Sequence, residues 1–223
     1  LYEVSFKLSK LIQVPSEFET FEFQFQVVKP SLKFEQDGLK SFNSSSLNRM
    51  KLTGTLWLSD SEEPVKIEKL LSIEYGSKSL PIHWLHNPSE NRARFSVDSV
   101  ILGKQDQNLI MKWDGKAIGS ELKGTEVIEV PATGVFKILN IKAIQETEQY
   151  VLVQFSNPIT VAQDLNGLIG IGNVSDLRYT IDGSEVKLYA PDRLEGNYSV
   201  VIHEGVENII SQKITKAVSS NVN

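Results

Sequence analysis

Alternation of apolar and polar side chains with a period of two runs through almost the whole chain, and no other feature restricts the fold as much. Val4, Phe6 and Leu8 alternate; Phe21, Phe23, Phe25 and Val27 do so with Glu22, Gln24 and Gln26 between them, ending at Pro30. The pattern returns at Leu56 and Leu58, and in a longer series of Val65, Ile67, Lys69, Leu71, Ile73 and Tyr75 that stops at Gly76. Leu80, Ile82 and Trp84 follow, then Phe95 and Val97, then Leu109, Met111 and Trp113. Asp114-Gly115 after Trp113 predicts a short hairpin into Lys116-Ala117-Ile118. Beyond Pro131 the same grammar gives Phe136 and Ile138; Val151, Val153 and Phe155; Leu177, Tyr179 and Ile181; Val186 and Leu188; and Tyr198, Val200 and Ile202. Asp182-Gly183 predicts a second hairpin. The best helical stretch, Val161 to Leu168, is too short and runs into Gly170. Half-buried strands every 8 to 12 residues with turn chemistry between them predict an all-β protein of antiparallel sandwiches.

At 223 residues the chain suits one large or two small domains. Val130-Pro131-Ala132-Thr133-Gly134 cannot continue a central strand, so it marks the boundary between sandwiches at residues 1–131 and 132–223. A link this short predicts limited hinge motion. Ser41 to Ser46, with Asn43 inside, reads as a loop. The two parts carry 16 basic with 18 acidic and 7 basic with 10 acidic side chains. Neither has the basic excess that phosphate backbones require, so nucleic acid is excluded as a partner. No apolar run approaches the ~20 residues that span a bilayer as a helix. The absence of cysteine removes disulfides, thiolate zinc sites and cysteine nucleophiles.

Few residues suggest chemistry. His83 and His86 are three apart, which on a strand places them on opposite faces, and His203 is distant, so no metal site is expected. Asp60, Glu62 and Glu63 before Pro64 read as a solvated turn rather than a calcium loop. Glu146 and Glu148 read as a loop or hairpin tip. No nucleophile elbow, phosphate-binding glycine loop or zinc-protease motif occurs, so no catalytic or cofactor-binding residue is assigned and the chain is expected not to be an enzyme. Of three tryptophans, Trp84 and Trp113 share parity with apolar neighbours and read as core. Trp57 is out of phase with Leu56 and Leu58 and reads as exposed. With Tyr189 and Tyr198 it forms the candidate binding surface, since Trp and Tyr favour recognition. Asn-x-Ser sequons at Asn43, Asn173 and Asn197 bear on function only where the source glycosylates them.

One stretch carries a family resemblance. Val151-Leu-Val-Gln-Phe-Ser-Asn-Pro-Ile159 followed by Gln163-Asp-Leu-Asn-Gly-Leu-Ile169 resembles the N-terminal region of bacterial alpha-2-macroglobulins. Leu177-Arg-Tyr-Thr-Ile-Asp-Gly183, Val186-Lys-Leu-Tyr189, Gly196-Asn-Tyr-Ser-Val200 and Gly205-Val-Glu-Asn208 continue the similarity in order. Trp113 to Gly119 and Val127 to Pro131 also resemble it, so the likeness covers roughly residues 95–210.

The resemblance implies a pair of immunoglobulin-like or macroglobulin-like sandwich modules from a large, modular, extracytoplasmic endopeptidase inhibitor of the bacterial cell envelope, in the periplasm or at the outer-membrane surface. In that family a protease cuts a bait region and is caged by the collapse that follows, with a Cys-x-Glu-Gln thioester in many members. Bait and thioester have no counterparts in these 223 residues. The implied role is therefore structural, with other domains of the parent chain and, through them, target proteases as partners, and an upstream lipoprotein anchor as one means of attachment. The chain opens at Leu1 without a signal segment, which fits a processed secreted protein or a slice of a longer one. The alternative from a different class is a cell-surface carbohydrate-binding or adhesion sandwich using Trp57, Tyr189 and Tyr198.

Overall fold

The structure, a computed structural model, describes residues 1–27, 29–145 and 147–223. Strands dominate it and every pairing is antiparallel. The all-β sandwich class expected from the period-two pattern is the class observed.

The first pair, β1 (Tyr2–Lys7) and β2 (Thr20–Phe25), makes a two-stranded ribbon. Next come β3 (Leu32–Ser41), β4 (Arg49–Leu58), β5 (Leu71–Tyr75), β6 (Lys78–Ser79), β7 (His83–Asn87), β8 (Arg92–Ile101), β9 (Gln107–Asp114) and β10 (Lys123–Val130). They form two four-stranded sheets, β3-β4-β8-β7 and β10-β9-β5-β6. Their facing sides make the first core: Leu39, Met50, Leu52, Phe95 and Val97 meet Leu71, Ile73, Leu109, Met111 and Val130. Leu56, Leu58 and Ala93 extend it over Ile67, Leu70 and Ile118.

The second sandwich consists of β11 (Ile138–Gln145), β12 (Gln149–Phe155), β13 (Ile169–Ile171), β14 (Arg178–Asp182), β15 (Glu185–Tyr189), β16 (Tyr198–Ile202) and β17 (Val218–Val222). Its sheets are β11-β12-β15-β14 and β13-β16-β17. Val151, Val153, Phe155, Val186 and Leu188 of one pack on Ile169, Ile171, Val200, Ile202 and Val222 of the other.

Several local expectations are corrected. The series Val65 to Tyr75 is not one strand: Pro64 opens a helical turn, α1 (Pro64–Ile67), and pairing starts only at Leu71. Proline's fixed φ and missing N–H suit a first helical turn. Leu80 and Ile82 precede β7 rather than joining it, because Pro81 interrupts the ladder. The hairpin after Trp113 exists, but its loop is long. Asp114 Oδ1 accepts the Lys116 N–H at 2.9 Å, a single 3-10 turn follows, and Asp114 pairs with Lys123. The Asp182-Gly183 hairpin closes tightly, with Asp182 opposite Glu185. Asn43 Oδ1 accepts the Ser45 N–H and the Ser46 hydroxyl, each at 3.0 Å, and so shapes the expected loop. Of the pair expected at a hairpin tip, Glu148 lies exposed between β11 and β12 and Glu146 lies outside the described residues. The ribbon strands form where alternation placed them, yet apart from Val4 every side chain in them is exposed.

The sandwiches are joined by more than their link. Ala132 N–H donates to Asp106 Oδ1 (2.6 Å), and Thr133 bonds back to Leu102 and Gly103. Across the junction, Lys40 Nζ meets Glu185 Oε2 at 3.0 Å, and the Ser41 N–H donates to Ser184 Oγ at 2.8 Å. Gln154, with no exposed surface, donates to Glu185 Oε1 (2.9 Å) and accepts from Asn140 (3.1 Å). It lies against Gly38, whose φ of +100° marks the bulge in β3 and which leaves no room for a Cβ. These contacts leave the linker little of the hinge freedom its length alone would permit.

Gly54, in the middle of β4, is a tight point of the first core. A Cβ there would stand 2.5 Å from Phe95 Cζ and 2.6 Å from the Glu35 carbonyl oxygen. Gly54→Ala should therefore destabilise the first sandwich by about 1–3 kcal/mol through overpacking. Urea denaturation measures this, and an unchanged midpoint would contradict the packing described.

Candidate functional site

Alternation along β4, β8 and β7 sends one set of side chains into the core and the other to the outer face of the sheet. The register places Trp57 beside Lys33 and Arg92, Thr55 beside Glu35 and Arg94, and Ser96 between Thr53 and His83. Lys142 and Ile144 of β11 overhang this face from the second sandwich. Together they bound a cleft of about 750 Å³. That volume suits a small ligand or several sugar units.

Trp57 forms the apolar floor at one end, 36% exposed, with Lys33 Nζ 5.4 Å from its ring centre. Lys33 also pairs with Glu35 (3.4 Å), and Arg92 pairs with Glu90 (2.5 Å). Asp37 accepts from the Thr53 hydroxyl at 2.7 Å. Among the described residues, the side chains of Arg94 and Lys142 have no ion pair or hydrogen bond, so two cations stand unpaired in the cleft. The arrangement can stack an aromatic ring on a flat ligand and offer guanidinium donors beside it.

The three residues named from sequence do not meet. Tyr189 lies on the outer face of the second sandwich, 5.7 Å from the Tyr150 ring centre and with the Arg178 guanidinium at 5.9 Å. Tyr198 packs against the second core and borders a cavity of only about 20 Å³, room for little more than one water. Trp84 and Trp113 pack on the first core. His83 faces the cleft, whereas His86 turns inward, stacks on Trp84 and meets Glu68 Oε1 at 3.1 Å. Arg92, Arg94 and Lys142 were missed by sequence reasoning. Parity with Ala93 and Phe95 points both arginines outward, but only the strand register reveals that they neighbour Trp57.

The stretch carrying the macroglobulin resemblance builds the closing end of the second sandwich instead of a cleft. Gln163 bonds Gly205 O and the Glu207 N–H, both at 2.8 Å. Asn208 Oδ1 accepts the N–H groups of Ile210 (3.1 Å) and Gln212 (2.9 Å), and its carbonyl accepts from the Thr160 hydroxyl. Ile209 N–H reaches Pro158 O at 3.0 Å, and Ile159 N–H reaches Gly183 O at 2.8 Å. Asp164 accepts the Asn166 N–H (3.0 Å) and the Tyr179 hydroxyl (3.1 Å).

Comparison with protein families gives no match, and neither does comparison with curated proteins. Among solved structures, the chain is similar to the Bacteroides ovatus mixed-linkage glucan utilization locus protein SGBP-B in complex with a mixed-linkage heptasaccharide. The TM-score is 0.29 and the identity 13%, over 87% of this chain and 61% of that one. This chain thus spans less than two thirds of that protein's length. A likeness at this score is short of a shared fold. No helix among the described residues is long and apolar enough to cross a membrane.

The backbone N–H of Asn166, then the Tyr179 hydroxyl, hold the Asp164 carboxyl below its usual range. A depressed folded-state pKa stabilises the fold above the ordinary carboxylate pKa, and the effect is lost as pH falls through the lower folded value. NMR titration should give Asp164 a midpoint below 3.8, with Tyr179→Phe moving it upward. A midpoint indifferent to that substitution would show the hydroxyl plays no part.

Proposed function

We propose that the chain is a non-catalytic pair of structural modules from a large alpha-2-macroglobulin-like protease inhibitor, in which trapping is performed by the parent protein. The observation that supports this is the ordered run of family-like segments from Val151 to Asn208, which supply strands of the second sandwich and the bonded turns at one end of it. Segments that hold turns together identify a module rather than an active site. The firm coupling of the two sandwiches through Gln154, Glu185 and Lys40 suits a positioning role, in which a hinge would be a defect.

The test is twofold. The parent reading frame should continue for many hundreds of residues, and the whole parent should protect large but not small substrates from a protease it has trapped. The isolated chain should neither inhibit nor hydrolyse. A gene that stops near Asn223, or defined substrate turnover by the chain, would overturn the reading.

A second reading, a cell-surface carbohydrate-binding module, is favoured by one observation: Trp57 lies exposed in a cleft beside Arg92 and Arg94. An aromatic platform with guanidinium donors suits a sugar carrying a carboxylate. Titration with uronate-containing oligosaccharides should show saturable binding, weakened about tenfold (~1.4 kcal/mol) by Trp57→Ala or by Arg94→Ala. A blank glycan array would dispose of this reading and leave the first untouched.

A further inference from the structure

The two unpaired cations of the cleft come from different sandwiches. Arg94 stands on β8, a central strand of the first, and Lys142 on β11, at an edge of the second. Lys142 is only half-exposed, and a charge partly withdrawn from water without a partner is unfavourable. On β11, Ile141 and Ala143 pack on the second core, so Asn140, Lys142 and Ile144 point the other way, toward the first sandwich. Asn140 belongs to the hydrogen-bonded chain through Gln154 and Glu185 to Lys40. The contact that sets the angle between the sandwiches therefore also holds Lys142 over the cleft. The acids of the cleft stand apart from Arg94. Glu35 and Asp37 lie on β3, and β4 separates that strand from β8. Two strand spacings put their backbone about 10 Å from that of Arg94, roughly a Debye length at physiological salt. Glu35 is moreover paired with Lys33, and Asp37 accepts from Thr53. The cationic end is thus open to an anion.

We propose that the carboxylate of a uronic acid residue is held between Arg94 and Lys142 while the sugar chain rests on Trp57, so that the site is complete only with both sandwiches in place. This rests on the carbohydrate-binding reading above and deepens it by making Lys142 the second half of the anion subsite. Distance suits a sugar: Trp57 lies diagonal to Arg94 across the β4–β8 pair, ~7–8 Å away along the backbone, the reach of a sugar ring and its carboxylate. The floor between them carries the hydroxyls of Thr53, Thr55 and Ser96, which can both donate to and accept from a polyol. An extended peptide finds less here. The floor strands β4 and β8 have neighbours on both sides, so no ladder position is open to it. The guanidinium can grip a carboxylate through two N–H groups, and the ammonium adds a point charge from the other side.

Calorimetric titration of the chain with oligogalacturonate and with its methyl ester, which keeps the sugar and removes the charge, tests the subsite. The acid should bind about tenfold more tightly than the ester. Lys142→Ala and Arg94→Ala should each erase most of that preference, Lys142→Arg should keep it, and Trp57→Ala should weaken both forms alike. The ratio of the two affinities is the reading, because a variant that is partly unfolded binds both forms less and leaves their ratio unchanged. Equal binding of acid and ester, or a preference that survives Lys142→Ala, would overturn the inference and leave the carbohydrate reading standing. Binding of neither form would remove both. Polyglutamate binding more tightly than oligogalacturonate, and losing its grip in Lys142→Ala, would overturn the sugar and assign the pair of cations to an acidic peptide.

Discussion

The arrangement of the molecule depends on a polar contact buried between its two sandwiches. Gln154 has no solvent of its own, Glu185 almost none, and Lys40 reaches Glu185 from the first sandwich. A buried amide or carboxylate is costly unless its hydrogen bonds are made, and here each group satisfies the next: Asn140 to Gln154, Gln154 to Glu185, Glu185 to Lys40. Apolar surfaces could slide past one another at little cost. A chain of directional bonds permits one register, so its effect is on orientation more than on net stability. Gly38 is part of the same device, because any side chain there would occupy the space of the Gln154 amide. The cleft follows, since Lys142 and Ile144 overhang Trp57 only while β11 is held at this angle.

Strand patterning was readable wherever burial had a single cause. Val151, Val153 and Phe155 alternate because one face meets a core, and they are buried as alternation requires. The same alternation in Phe21, Phe23 and Phe25 predicted half-buried strands, and the strands are there without the burial. Period two states that a strand has an apolar face; it does not state what covers that face. The Val65 to Tyr75 series failed for a different reason: spacing of two and a helical turn both place Ile67 and Leu71 inward, and Pro64 decided between them.

The candidate site was legible only in part, for a physical reason. That Trp57 faces outward follows from its phase against Leu56 and Leu58, information contained in three residues. That Arg92 and Arg94 stand beside it depends on pairing between strands more than thirty residues apart. Tyr198 shows the opposite failure. It shares phase with Val200 and Ile202, which are buried, so its side chain was already committed to the core by the alternation used to find the strand.

The segments from Gln163 to Asn208 show how a sandwich end can depend on particular side chains. Gln163 and Asn208 each satisfy backbone groups that no strand partner reaches, at the end where the second sandwich closes. Shortening either side chain would take the partners from backbone groups of Gly205, Glu207, Ile210 and Gln212, so hydrogen-bond geometry favours these two residues there. Gln163 and Asn208 close a sandwich, while Trp57, Arg94 and the ribbon aromatics stand outside the cores, where packing of the two sandwiches makes no demand on them.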